Sequence, residues 1–291
     1  MVAWTVDDLR KRGIDGARLD AELIVAHALG IDRIKILLEG DRELEPQRLE
    51  AIRALVKRRR SFEPIAYLRG EREFYGHRFR VDARVLVPRP DTETLVEVAL
   101  SRSVARSLSA RVLDLCTGSG CVGVSLKLER PTLRLDAVDA SEGAIAVARD
   151  NALRLGAVWN VRFLVGDLFA PLGDVEAKGA PRYELIVSNP PYIATAELPT
   201  LQPDIRDHEP RLALDGGDDG LAIVRRIVLE APSWLISGGA LALEIGAGQA
   251  DQVRALFAER GFADVRSARD YGGIERVISG VWGCRARERL R

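Results

Sequence analysis

The chain has 291 residues, 47% hydrophobic and 30% charged, an ordinary globular mixture with material for a sizeable core. Lys+Arg and Asp+Glu both number 43, so the net charge is zero, which argues against stable nucleic-acid binding because proteins that live on that backbone usually carry a basic excess. Three cysteines (Cys116, Cys121, Cys284) cannot close a disulfide framework, and the start lacks a signal-peptide pattern; with no 18-residue apolar run, the expectation is a cytoplasmic protein without a membrane span.

In chain order, residues 1–70 read as helices. Leu19, Leu23, Ile24, His27, Ala28 and Leu29 recur at helical spacing, and Leu49, Ile52, Leu55 and Val56 form a second periodic stretch. The run Lys57-Arg58-Arg59-Arg60 reads as a solvated helix end that suits the helix dipole, or as a docking patch for an acidic or RNA-bearing partner. Residues 71–88 alternate apolar and polar over two short stretches and predict a β-hairpin connector. Pro88-Arg89-Pro90 stops it, and a helix is predicted from Asp91-Thr92 through Leu100.

From residue 111 apolar runs alternate with helical stretches. Strands are predicted at Arg111–Leu115, Leu133–Val138, Val161–Val165, Leu185–Ser188 and Ala240–Ile245. Helices are predicted from Val122 and Ser141, and over Leu221–Leu235 and Gln249–Arg260. Two last strands, near Asp264–Ala268 and Arg276–Val281, flank a Gly-rich turn. This alternation predicts an α/β domain over 89–291, with a mainly parallel, doubly wound sheet and an antiparallel edge hairpin. Residues 171–182 and 203–219 read as loosely structured.

Three strand ends carry chemistry. Asp114-Leu115-Cys116-Thr117-Gly118-Ser119-Gly120 turns the first strand into its helix. Glycines there let backbone approach a ligand, and the helix N-terminus offers N–H groups to an anion. Gly118-x-Gly120-x-x-Gly123 followed by Asp139 also satisfies the dinucleotide fingerprint, so the pattern marks a nucleoside site without choosing the nucleoside. Asp139 ends the second strand, where a carboxylate can accept ribose hydroxyls; Asp167, with Leu168 after it, ends the third, where an adenine amine would lie. His27, His77 and His208 stand apart without companions at ligand spacing, so no metal is expected.

Asn189-Pro190-Pro191-Tyr192 follows the fourth strand. A nitrogen conjugated to a carbonyl or ring is a poor nucleophile. The Asn189 side-chain oxygen and the Pro190 carbonyl can each accept one N–H of such an NH2, holding it in line with a sulfonium methyl and favouring the charge that develops. Proline fixes φ and removes a competing N–H. Tyr192 offers an aromatic face to a planar target. Since a sulfonium brings its own leaving group, neither general base nor metal is required. Four readings fit in decreasing degree: methylation of an amide, methylation of an adenine N6 amine in nucleic acid, nicotinamide redox chemistry, and a non-catalytic nucleoside scaffold.

The chain resembles the release-factor glutamine methyltransferases, the HemK/PrmC type. The likeness runs over nearly the whole length, through Leu19-Asp20-Ala21-Glu22-Leu23, Pro64-Ile65-Ala66-Tyr67-Leu68-x-Gly70, Phe74-Tyr75-Gly76, Val85-Leu86-Val87-Pro88-Arg89-Pro90-Asp91-Thr92-Glu93, Glu209-Pro210, Gly216-Gly217-x-x-Gly220-Leu221 and Leu243-Glu244-Ile245-Gly246-x-x-Gln249, besides the loop at Asn189. The resemblance implies a seven-stranded, Rossmann-like class I methyltransferase sheet, joined by a hairpin (71–88) to a helical substrate-recognition domain (1–70). It implies methyl transfer from S-adenosyl-L-methionine to the glutamine side-chain nitrogen of the Gly-Gly-Gln motif in class I peptide chain release factors, modulating translation termination; a monomer is the expectation. Asp114, Cys116–Gly120, Asp139, Asp167, Leu168 and Asn189 would hold the cofactor, and Asn189–Tyr192 the glutamine. The chain departs from the family at Leu168, where an aromatic is frequent, and at Cys116, where glycine is frequent.

Overall fold

A computed structural model describes residues 1–38, 43–104 and 109–283; Cys284 lies outside them. Five helices open the chain: α1 (Val2–Lys11), α2 (Ala17–Leu29), α3 (Arg33–Leu38), α4 (Pro46–Arg60) and α5 (Ile65–Arg69). They share a core of Leu9, Ile14, Ile24, Val25, Ile52, Val56 and Leu68. The helix predicted after Asp15-Gly16 forms, but with its buried face turned from the expected one. Leu19 is 45% exposed, whereas Asp20 and Glu22 are buried. Ion pairs are the reason: Asp20 meets Arg59 at 2.7 Å and Glu22 meets Arg33 at 2.7 Å, which makes a buried carboxylate tolerable. Ion pairs also engage most of the basic run. Arg58 bonds Glu63, Arg59 bonds Asp20 and Arg60 stands 3.6 Å from Asp8, so three of its four cations hold the helix end in place.

β1 (Glu71–Phe74) and β2 (His77–Arg80) pair antiparallel. Their turn residues, Tyr75 and Gly76, both have positive φ, the backbone a two-residue hairpin turn demands. The predicted pairing does not reach residue 88. Residues 81–89 instead run as a strap that leaves the hairpin after one last bond, Val81 N to Gly70 O at 3.1 Å, and whose Val81, Val85 and Val87 are buried with Ala66, Tyr67, Ala144 and Val147. The Tyr67 hydroxyl donates to the Val85 carbonyl at 2.6 Å. A single 3-10 turn, Pro90–Thr92, then leads into α6 (Glu93–Ala99).

The main sheet has seven strands: β3 (Arg111–Leu115), β4 (Arg134–Asp139), β5 (Val161–Val165), β6 (Tyr183–Ser188), β7 (Leu235–Glu244), β8 (Ala263–Arg269) and β9 (Glu275–Val281). Their order is β5-β4-β3-β6-β7-β9-β8, parallel from β5 to β7 and antiparallel at β9 and β8. α7 (Cys121–Glu129), α8 (Glu142–Arg154), the short α9 (Pro203–Arg206), α10 (Ala222–Trp234) and α11 (Ala250–Arg260) complete the chain order. Side chains alternate across the sheet. Leu113, Ile186 and Leu241 meet Val224 and Val253 on one face; Val112, Leu185 and Ala240 meet Leu95 and Val122 on the other. β7 begins five residues before the expected Ala240, and its register with β6 shifts between Tyr183 and Leu185. Residues 203–219 are more ordered than expected. They hold α9, the turn Arg211–Ala213, a buried Glu209, and a parallel bridge from Asp215 to Ile193.

Chain order reverses on either side of β3, which lies between β4 and β6. The carboxyl ends of β3, β4, β5 and β6 therefore open on one crevice, where ligands bind in open α/β sheets.

Candidate active site

The turn after β3 is bound from beneath. Asp114 is 1% exposed and accepts from Thr117 Oγ1 at 2.6 Å and Gly123 N at 3.0 Å. Burial pushes its pKa up to about 7, with those two bonds working against the rise. Asp114 thus braces the turn, and it also lines the cavity. Gly123 must be glycine, because a Cβ there would stand 2.7 Å from the Asp114 carboxylate. Gly118 and Gly120 have φ of +56° and +80°, and Cys116 shares the left-handed region at +56°, which costs a non-glycine residue roughly 1–3 kcal/mol. Cys116, Thr117, Gly118 and Ser119 line the cavity; Gly120 instead caps α7 and packs on Ala148.

Asp139, at the end of β4, accepts from Gly118 N at 2.8 Å and from Ser141 N at 2.9 Å, one bond per carboxylate oxygen. Ser141 caps α8, its hydroxyl accepting from Ala144 N at 3.1 Å. Beyond β5, Asp167 is exposed and engaged bidentately by Arg226 at 3.1 and 2.7 Å. Leu168 is buried at φ +47° and faces the cavity as an aliphatic wall.

The loop after β6 divides its four residues. Asn189 and Pro191 line the cavity. Asn189 Nδ2 donates to Thr92 Oγ1 at 3.2 Å, leaving its Oδ1 as the amide's available acceptor. Pro190 is buried and does not line the cavity. Tyr192 turns toward β7: its hydroxyl faces Glu244 Oε1 at 3.4 Å and its carbonyl accepts from Gln249 Nε2 at 3.0 Å. Burial drives the Tyr192 phenol above its ordinary range. Gln249 is fixed in turn by Gly246 N, at 2.8 Å.

Sequence reasoning gave no site role to several residues that build this cavity. Val85, Leu86, Pro88, Arg89 and Thr92 come from the strap and the 3-10 turn, and Pro210, Leu212 and Ala213 from the segment after Glu209. Arg89 bonds Glu209 at 2.6 Å, and the Val87 N–H points at the same carboxylate at 3.3 Å. The Pro88–Glu93 run was visible as a signature, but its partner lies 120 residues away.

The residues present suit S-adenosylmethionine. Ser119 Oγ is buried beside the cavity with no well-aligned hydrogen-bond partner, the Cys121 thiol being its near neighbour, and no atom approaches within 4 Å of a Cβ built on Gly118, so the turn leaves room for a ligand to lie against backbone. Asp139 stands at the strand end where ribose hydroxyls are accepted.

Sheet order and strand-end loops together define a class I, S-adenosylmethionine-dependent methyltransferase. The family described as PrmC N-terminal domain matches residues 1–70, and that described as methyltransferase small domain matches residues 91–216. The chain is 47% identical to the release factor glutamine methyltransferase of Geobacter sulfurreducens over 280 residues, 96% of this chain and 95% of that one. It is 42% identical to the enzyme of that name from Chlorobaculum tepidum, covering 95% and 97%. Among solved structures, a methyltransferase from Pyrococcus furiosus shares the fold at 18% identity and a TM-score of 0.52, covering 72% of this chain and 91% of that one. The chain belongs to the release factor glutamine methyltransferases. Among the described residues, no helix is long and apolar enough to cross a membrane.

Proposed function

We propose that the protein methylates the side-chain amide nitrogen (N5) of the glutamine in the Gly-Gly-Gln motif of class I peptide chain release factors. The observation that carries this reading is Asn189, held at the cavity wall with its Nδ2 committed to Thr92. S-adenosyl-L-methionine supplies an electrophilic methyl group and a neutral leaving group. Asp139 would accept the ribose hydroxyls, Ser119 and the Gly118 backbone would meet the methionyl end, and Leu168 would pack on the adenine. Asn189 Oδ1, at the cavity wall, would accept an N–H of the glutamine amide, which positions the nitrogen and favours the positive charge it gains. The nitrogen then gives up a proton to water. Glycines flanking the glutamine let the acceptor enter a narrow site without backbone clash.

Asn189→Ala is expected to lower turnover about 10²–10³-fold and leave S-adenosylhomocysteine affinity intact, since it removes one preorganised acceptor. Radiolabelled transfer to a release factor, to its Gln→Asn variant and to adenine-containing DNA is the assay. The asparagine variant, one methylene short, is expected to lose transfer almost entirely. Strong labelling of DNA with none on the release factor would replace the amide by an adenine amine as acceptor.

A further inference from the structure

The loop after β6 is braced from behind by Gln249, which sits between β7 and α11 and does not line the cavity. Its side-chain amide uses both ends. Gly246 N donates to Oε1 at 2.8 Å, and Nε2 donates to the Tyr192 carbonyl at 3.0 Å. The first bond settles how the amide lies: only its oxygen end can receive an N–H, so the NH2 end must face Tyr192. Two glycines make this close approach possible. A Cβ on Gly220, whose φ is +74°, would collide with the Tyr192 carbonyl and stand 2.8 Å from Gln249 Nε2. A Cβ on Gly246 would stand 3.0 Å from Gln249 Oε1 and 3.2 Å from Tyr192 Cδ2.

What the brace holds is the Asn-Pro-Pro-Tyr loop. Pro190 and Pro191 have no N–H, so that stretch of backbone can be tied down only through carbonyls, and Gln249 takes the carbonyl next in line. Proline also fixes φ, which makes the pair a stiff link. A shift at Tyr192 is therefore carried back to Pro191 and Asn189, the two loop residues that line the cavity. Beyond Tyr192, Ile193 N donates to the Leu214 carbonyl at 3.0 Å and Gly216 N to the Ile193 carbonyl at 2.8 Å. The loop is thus joined to the segment whose Leu212 and Ala213 also line the cavity. We propose that Gln249 is a positioning residue: it fixes where Asn189 and Pro191 stand, and so the line on which the acceptor nitrogen is presented, without touching cofactor or acceptor. This rests on the amide-methylation reading above.

Gln249→Glu tests the orientation as well as the bond, because it alters only the Nε2 end. An ionised glutamate keeps one oxygen for Gly246 N and sets the other against the Tyr192 carbonyl, acceptor against acceptor, which drives the loop away. Protonated, the same group has an O–H to donate and the brace re-forms. The charged groups on the surrounding elements are Glu244, Arg276 and Arg89 about Tyr192, Asp219 beside Gly220, paired with Arg225, and Asp251 in α11, paired with Arg254. All are present in both enzymes, so the ratio of variant to unaltered rate at each pH isolates residue 249.

The test uses the full chain with a class I release factor as acceptor, following methyl transfer against pH and S-adenosylhomocysteine binding by calorimetry. Gln249→Met removes both bonds and is expected to lower kcat about 10²-fold, the scale of a small misplacement of a reacting group, with KM for the release factor and S-adenosylhomocysteine affinity unchanged. Gln249→Glu shows the same loss at alkaline pH and recovers, relative to the unaltered enzyme, as pH falls. A Gln249→Met enzyme with normal kcat, or one whose loss is matched by lost cofactor affinity, overturns the proposal. So does a Gln249→Glu enzyme whose relative rate does not rise toward acid pH. Should Gln249→Met fail to fold, the Gln249→Glu profile decides. Failure of the amide reading shows separately, as absence of methyl on the release factor with the unaltered enzyme.

Discussion

Asp139→Asn changes one carboxylate oxygen to NH2 and nothing in shape, so it isolates the charge and the acceptors. In the structure each oxygen receives one backbone N–H, Gly118 at 2.8 Å and Ser141 at 2.9 Å. Whichever way the asparagine amide turns, its NH2 faces one of those N–H groups, donor against donor. One charge-assisted bond is lost outright and the other weakened, a cost of roughly 1.5–3 kcal/mol. Gly118 belongs to the turn that lines the cavity, so much of that cost falls on the ligand-binding conformation. S-adenosylhomocysteine affinity is expected to fall about 10–100-fold. Calorimetry reads the affinity, and urea unfolding reads the share that falls on stability. An Asp139→Asn enzyme with unchanged affinity and unchanged unfolding midpoint would refute both the ribose role and the bracing of the turn.

Arg89→Met leaves Glu209, whose side chain is 1% exposed, without its counter-charge, and is expected to cost about 2–3 kcal/mol in urea unfolding. Burial already raises the Glu209 pKa; protonation cancels the buried charge, so the loss should be larger at pH 8 than at pH 5, and a pH-independent loss would contradict this. Asp114 has a folded pKa of about 7 against 3.8 for the free group; an acid with a raised folded pKa loses stability as pH climbs from the unfolded value to the folded one. Relative to Asp114→Asn, the unaltered protein should therefore become less stable between pH 4 and pH 7 and level off above, as urea midpoints across that range would show.

The sheet was legible because its strands are short apolar runs closed by turn residues. Arg111–Leu115, Val161–Val165 and Leu185–Ser188 needed almost no adjustment against the structure. Periodicity failed at α2, where Asp20 and Glu22 are buried on the strength of arginines up to 39 residues away. At the site, the cavity-lining roles of Cys116, Asp139, Leu168 and Asn189 could be read from strand ends. The sequence could not show that Asp114 spends its carboxylate on Thr117 and Gly123, that Asp167 is held by Arg226, or that Tyr192 turns away from the cavity toward Glu244. Those depend on which partner a polar group finds in space, and the partners come from other elements. The same holds for residues 203–219, whose order comes from Glu209 and Asp215 meeting Arg89 and Thr195.

The strap of residues 81–89 bears on the order in which the protein can assemble during its own synthesis. One end is fixed locally, Tyr67 to Val85, only 18 residues apart. The other waits for Glu209, 122 residues beyond Val87. The first five helices enclose a core drawn from residues before Arg69, so they can settle as soon as they emerge, in keeping with domains folding from the N-terminus as they are made. The cavity wall cannot. It stays open until roughly the last third of the chain arrives, and a nascent chain halted before Glu209 should carry a finished helical domain and no place to keep its ligand.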